Sequence, residues 1–297
     1  MAVEGRYEQY FYNNFAMTGK IAASGNINSL LEENEETART MDLSDRNFCY
    51  AYLFSGCTSL TTAPELPATT LADKCYTNMF VGCTSLTSAP ELPATTLANG
   101  CYAEMFSGCT SLTTAPELPA TELADGCYQF MFSSCTSLTS APELPATTLA
   151  NYCYESMFYN TALTTAPELP ATTLANGCYS NMFYGCTSLT SAPELPATTL
   201  ADYCYANMFN GCTSLTSAPE LPATTLAESC YEYMFYGCSN LNTITLGYTG
   251  RFDATYSAFY EWVSGVAQTG TFYYNGSDTT RGTSAIPTGW TVTPFTA

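Results

Sequence analysis

Fifteen cysteines run through the chain, at Cys49, Cys57, Cys75, Cys83, Cys101, Cys109, Cys127, Cys135, Cys153, Cys178, Cys186, Cys204, Cys212, Cys230 and Cys238. Their steps alternate between 8 and 18 residues, except that Cys153 has no companion eight residues on. Three chemistries compete for such a series: seven disulfides, metal sites or buried thiols. Zinc takes Cys-x-x-Cys pairs or histidine, and a spacing of eight in a chain without histidine supplies neither. A bridge between Cys75 and Cys83 needs Cα atoms within ~7 Å. Eight residues along one helix separate them by ~12 Å, so that helix would have to end early. Buried thiols, acting as small core residues one layer at a time, are the favoured reading, and Cys153 shows that one position is tolerated without the other.

Carboxylates form the second series, at Glu65, Glu91, Glu117, Glu143, Glu168, Glu194 and Glu220. Stacked in register they repel one another unless water or a cation intervenes. Calcium requires six to eight oxygens, and the neighbours here are Pro and Leu, so a solvated stripe is expected. Catalysis finds little material. Without histidine the usual general base is missing, and Ser-His or Cys-His nucleophile pairs are excluded. Acids on identical copies make a surface rather than one converging cleft, so the chain is not expected to be an enzyme or to need a cofactor or metal.

Both series are positioned by one repeating block. Leu60-Thr-Thr-Ala-Pro-Glu-Leu-Pro-Ala-Thr-Thr-Leu-Ala72 returns at Leu86, Leu112, Leu138, Leu163, Leu189 and Leu215, followed each time by Cys-Tyr-x-x-Met-Phe. The period is 26 residues, shortened to 25 between Leu138 and Leu163. A fixed period in this range marks a solenoid, whose units bury a core only by stacking. Within a unit, Leu60 to Ala63 has the composition of a short strand, and Pro64 and Pro67 end its ladder. Thr70 is placed as an N-cap, with Asp73 completing a capping box. Leu71, Cys75 and Met79 fall four apart, as do Tyr76 and Phe80, which predicts a helix of about ten residues. Gly82 fits its left-handed stop, as does Asn160 in the short unit, whereas Ser134 in that place is unexplained. Strands stack ~4.8 Å apart while helices want 8–10 Å, so the array should curve. The expectation is an α/β repeat solenoid, a leucine-rich-repeat horseshoe with strands on its concave face, short helices on its convex face and a cap at each end.

The pattern Leu-x-x-Ala-x-x-Leu-Pro…Leu…Met-Phe-x-Gly-Cys-x-x-Leu resembles the BspA-like, or Treponema-type, leucine-rich repeats of bacterial surface proteins. Their shorter unit ends in Ala-Phe-x-x-Cys-x-x-Leu, and Met79-Phe80-Val81-Gly82-Cys83 occupies the corresponding place. The resemblance covers residues 47 to 246, and the runs Trp262 to Phe272 and Ile286 to Val292 look like the segment that closes such arrays. It implies adhesion and binding to host or partner surfaces, and similar modules occur in proteins of gut bacteria and their phages. Because the unit here is longer, helix length and curvature are not carried over.

The organisation expected is an N-terminal cap over 1–46, an array of about seven full units over 47–246 and a C-terminal cap over 247–297. Ile27 to Met41 and Thr255 to Val266 look helical, while Gly19 to Gly25, Asn242 to Leu246, Thr269 to Tyr274 and Gly289 to Thr293 look like strands. Apolar residues make up 46% of the chain, enough for a continuous core, yet no apolar run is long enough to span a membrane. Twenty-six acids face seven bases, and none of the bases lies between Cys75 and Gly250. Such a surface is unfit for phosphate backbones and acidic membranes. The segment from Met1 to Arg6 lacks the apolar stretch of a secretory leader, so either a leader has been removed or the protein is displayed by another route, as in a virion.

Recognition is what remains. The strand side is monotonous, with Thr61-Thr62, Thr87-Ser88 and Thr113-Thr114 suited to a repetitive glycan or to nothing. Copies disagree instead in the second half of the unit, in three rows rich in Tyr, Ser, Asn and Gly, the palette of adaptable binding surfaces. Neutral drift on a tolerant face would vary in the same way. The candidate partner-binding residues are Tyr152, Tyr159, Tyr184, Tyr203, Tyr233 and Tyr236. The expected function is non-catalytic recognition or adhesion at a cell surface, with a protein or glycan partner. A phage tail or virion component, or a stiff structural spacer, are the alternatives.

Overall fold

The computed structural model describes residues 21–32, 34, 36–37, 41–252 and 257–295. Among the described residues six short strands are regular: β1 (Ile21–Ala22), β2 (Leu60–Thr62), β3 (Ser217–Leu221), β4 (Thr243–Leu246), β5 (Thr271–Tyr274) and β6 (Thr291–Thr293). All pairings are parallel, β1 with β2 at the front and β3-β4-β5-β6 in order at the rear. Between them the strand side of the stack holds together by isolated bridges, such as Ser88 to Thr114 and Thr165 to Ser191. The proline pair in each unit contributes, because each removes a backbone donor from the ladder; β3 contains Pro219 and is regular where its partner β4 has no proline. The strands expected at Gly19 to Gly25, Asn242 to Leu246, Thr269 to Tyr274 and Gly289 to Thr293 are thus present in shortened form, as far as the described residues reach.

The convex helices are absent. Among the described residues of the array the second half of each coil is a ribbon of consecutive turns, and Ile27–Leu30 is a 3₁₀ turn. In one ribbon, the amides of Cys75, Thr77, Met79, Val81 and Cys83 donate to carbonyls three residues back, at 3.0–3.3 Å. The alternate amides of Lys74, Tyr76, Asn78, Phe80 and Gly82 donate instead to the next coil, to Asn99, Cys101, Ala103, Met105 and Ser107, at 2.7–3.0 Å. Every backbone donor is therefore satisfied, half of them across the stack. Lys74, Asn78 and Gly82 adopt positive φ (55°, 55° and 71°), and that left-handed residue at every fourth position is what forbids a helix. Ser134 (59°) and Asn160 (52°) take the same conformation. The helix expected over Thr255 to Val266 is not found in its described part: residues 257–265 repeat the ribbon, with Glu261 and Gly265 left-handed.

Two-in, two-out alternation accounts for the resemblance to a helix. Cys101-Tyr102, Met105-Phe106 and Cys109 are buried while residues 103–104 and 107–108 are not, giving a period of four; in the preceding coil Thr77 and Asn78 are buried as well. A helix of 3.6 residues per turn drifts from that by less than about one residue over two turns. Asp73 caps nothing: its carboxylate accepts from the Asn99 amide of the next coil at 3.0 Å. The bond recurs from Asp125 N to Asn99, Asn151 N to Asp125, Asn176 N to Asn151 and Glu228 N to Asp202.

The core is a stack of identical layers. Tyr50, Tyr76, Tyr102, Tyr128, Tyr154, Tyr179, Tyr205 and Tyr231 stack with ring centroids 5.6–6.0 Å apart. A parallel phenylalanine column from Phe54 to Phe235 is spaced at 5.5–5.9 Å. Against ~4.8 Å between strands, the turn side is wider by only about 1 Å per coil, rather than the ~3–5 Å that helices would impose. The cause of a tight horseshoe is therefore missing. At the front, Tyr50 donates to Asn28 Oδ1 at 2.9 Å. At the rear, Phe259 and Trp262 close the tyrosine column against Tyr231, at 5.8 and 6.4 Å.

Candidate functional site

All fifteen cysteines are free thiols, fourteen of them buried and Cys49 partly exposed. Six form a second-row ladder in which Cys83, Cys109, Cys135, Cys186, Cys212 and Cys238 donate to phenylalanine carbonyls of the preceding coil at 3.0–3.1 Å. The short unit fills this row with Thr161, whose hydroxyl bonds the Phe158 carbonyl at 3.0 Å and lies 3.3 Å from Cys186 Sγ. Burial pushes the thiols up, to about 12 at Cys101, Cys135, Cys178 and Cys238 and about 11 at Cys230. A thiolate is the reactive and metal-binding form, so these groups are held in their inert state. No group of three or more Cys, Asp or Glu among the described residues is arranged to hold a metal ion. The carboxylates from Glu65 to Glu220 are all exposed along the strand side.

The three variable rows lie on the turn side, and two of them are the left-handed positions of the ribbon. Tyr152 (φ 54°) and Tyr203 (φ 56°) occupy the row that holds Gly100, Gly126 and Gly177 in other coils. Both are exposed, at 46% and 40%. Tyr152 lies across Gly177 of the next coil, where an added Cβ would overlap its ring. Tyr203 donates to Glu228 Oε1 at 3.2 Å, and that carboxylate raises its pKa. Tyr152 and Tyr203 are each followed in this row by a small residue, Gly177 and Ser229, whereas Phe48 is followed by Lys74, whose ammonium lies 5.6 Å from its ring centroid.

The other four candidates come together towards the rear. Tyr159 and Tyr184 stack at 4.7 Å with planes 12° apart. Tyr233 (φ 52°) meets Tyr236 edge-on at 5.7 Å and Tyr260 at 5.3 Å. Tyr184, Tyr233 and Tyr236 line an open depression of about 390 Å³, completed by Asn207, Asn210 and Glu261. Asn210 Nδ2 donates to Asn207 Oδ1 at 2.9 Å, and Thr283 Oγ1 donates to Glu261 Oε1 at 2.7 Å. Tyr152 and Tyr203 do not line this depression. Tyr260 and Glu261 were not legible as site residues, because the segment reads as a helix that it does not form. Their signal is the spacing of Glu261 and Gly265, four apart like Tyr233 and Gly237.

No described helix is long and apolar enough to cross a membrane. Comparison with known proteins bears on the scaffold. A crystal structure of a leucine-rich repeat protein from Bacteroides ovatus ATCC 8483 is similar at 17% identity over 76% of this chain and 86% of that one, with a TM-score of 0.21. No curated protein matches. The BspA type leucine rich repeat region matches in six copies over residues 47–189 and 154–264. Those residues include every ribbon, from the first coil to the Trp262 layer, and the chain belongs to the BspA-type leucine-rich repeat family.

Proposed function

We propose that this protein is a non-catalytic recognition or adhesion protein that engages a protein or glycan partner at a cell surface through its turn side. One observation carries the reading. Tyr152 and Tyr203 are placed in a left-handed backbone that costs an ordinary residue roughly 1–2 kcal/mol, where sister coils use glycine. Nearly half of each side chain remains in solvent, so burial repays only part of that cost. A strained residue with so much exposed aromatic surface supports an external use. The inert thiols and the dispersed acids offer no competing chemistry.

Adhesion of protein-coated beads to epithelial cell layers tests this. Replacing Tyr152, Tyr203 and Tyr233 together by glycine keeps the backbone conformation and removes the rings. Adhesion should fall by roughly tenfold, the loss of one or two hot-spot residues, while the variant still unfolds in one cooperative transition. Undiminished adhesion of the variant, or wild-type beads adhering no better than albumin-coated ones, overturns the reading.

A further inference from the structure

Deepening that reading, and resting on it, we infer that the depression lined by Tyr184, Tyr233 and Tyr236 with Asn207, Asn210 and Glu261 is a binding site for a neutral saccharide. Its volume of about 390 Å³ falls within the ~300–1,000 Å³ of small-ligand sites, and it is open enough to admit a chain passing through.

The lining selects the chemistry. Phenol rings present electron-rich faces that attract the weakly positive C–H edges of a sugar ring. Tyr184 is braced from behind by its stack on Tyr159, and Tyr233 is wedged edge-on between Tyr236 and Tyr260. Rings held this way lose little freedom when a ligand arrives. Asn210 spends one amide hydrogen on Asn207 Oδ1. That bond fixes both amides and leaves the Asn207 NH₂ as donor and Asn210 Oδ1 as acceptor. Glu261 has one oxygen engaged by Thr283, and its other oxygen adds a further acceptor. Donors and acceptors are thereby set around aromatic faces, as a polyhydroxylated ring requires.

The same lining rejects other ligands. No Lys or Arg occurs between Cys75 and Gly250, and the one charged residue of the depression is acidic. Phosphate, sulfate and uronate groups would meet only repulsion here. A purely apolar ligand would bury two amides and a carboxylate without partners. A neutral sugar satisfies all of these groups.

Calorimetric titration of the full chain with neutral hexasaccharides of glucose, xylose, galactose and N-acetylglucosamine tests the assignment. At least one should bind with Kd of about 10 µM–1 mM. Raising sodium chloride from about 0.05 to 0.5 M should change that Kd by less than about twofold, because no ion pair forms. Tyr236→Ala and Asn210→Ala should each weaken binding by roughly tenfold, whereas Glu117→Gln, exposed on the strand side, should leave it unchanged. Tyr236 is exposed, and near-ultraviolet dichroism shows whether its variant keeps the ring ladders. If none of the hexasaccharides binds while bead adhesion still depends on the tyrosines, the saccharide assignment is wrong and the recognition reading stands. If saccharide binds equally well to Tyr236→Ala and Asn210→Ala, the site is misplaced. Adhesion that ignores every tyrosine sinks both.

Discussion

Gly177→Ala separates backbone strain from side-chain contact in a way that few single changes allow. Gly177 sits at φ +60°, so any Cβ costs roughly 1–2 kcal/mol in the folded chain. Ala also loses less entropy than Gly on folding, which returns about 0.4–1 kcal/mol. The backbone part is therefore about 1 kcal/mol. On top of it, the new methyl would overlap Cε1 and Cδ1 of Tyr152, so that ring must leave its place over the next coil. Losing that packing adds about 1–2 kcal/mol, the burial of a good part of one aromatic side chain. The total is about 2–3 kcal/mol. Gly108→Ala is the matched control: at φ +72° its Cβ meets nothing closer than 3.6 Å, so only the backbone part applies. Urea unfolding of Gly177→Ala, Gly108→Ala, Tyr152→Gly and the Tyr152→Gly/Gly177→Ala double variant completes the cycle. The double variant should show Gly177→Ala costing about as little as Gly108→Ala, a coupling of about 1–2 kcal/mol. Equal costs for Gly177→Ala with and without Tyr152 would refute the placement of that ring.

Two further outcomes follow from the core. Iodoacetamide at neutral pH should label Cys49 in the native protein and reach the other fourteen thiols only after unfolding, because they are buried and burial pushes thiols such as Cys101 and Cys178 up; mass spectrometry reads the count. Burial raises the pKa of Glu155, although its hydrogen bond with Gln129 pulls the other way. An acid with a raised folded pKa weakens the fold at pH values above its unfolded range of ~4.3. Glu155→Gln should therefore raise the melting midpoint at pH 7, with the gap closing as pH falls towards 4; a gap that is independent of pH would show that the charge is not the cause.

The solenoid, its period and the burial of Leu60, Cys75, Tyr76, Met79 and Phe80 were legible because a residue repeated in register in every unit must meet its own copies. Thiol chemistry was legible from spacing and the absence of histidine. The secondary structure of the second half-unit was not. A period of four over ten residues imitates a helical stripe, and what distinguishes them is negative space rather than apolar pattern. Gly177, Asn181 and Gly185 stand four apart, and all three tolerate positive φ, as do Gly126 and Ser134 in their own coil. Reading those residues together, instead of Gly185 alone as a helix stop, points to the ribbon. Two of the variable rows then acquire a backbone reason to prefer Gly and Asn, and the departures to Tyr become the informative ones. Asp73 was misassigned for the same cause: its partner is one coil away, and no local pattern names a bond to residue 99.

The short unit has a use beyond its own coil. It omits one residue at the corner after Thr161, where other coils run Cys-Thr-Ser-Leu or, at Cys238, Cys-Ser-Asn-Leu. The columns pass through undisturbed, with Tyr154 to Tyr179 at 5.8 Å and Phe158 to Phe183 at 5.9 Å. Chain length at that corner is thus decoupled from the pitch of the stack. The corner is an expansion joint, and the residues between Cys83 and Leu86, or at the equivalent place in any coil, are where a foreign peptide can be spliced in and displayed at a chosen height along the rod.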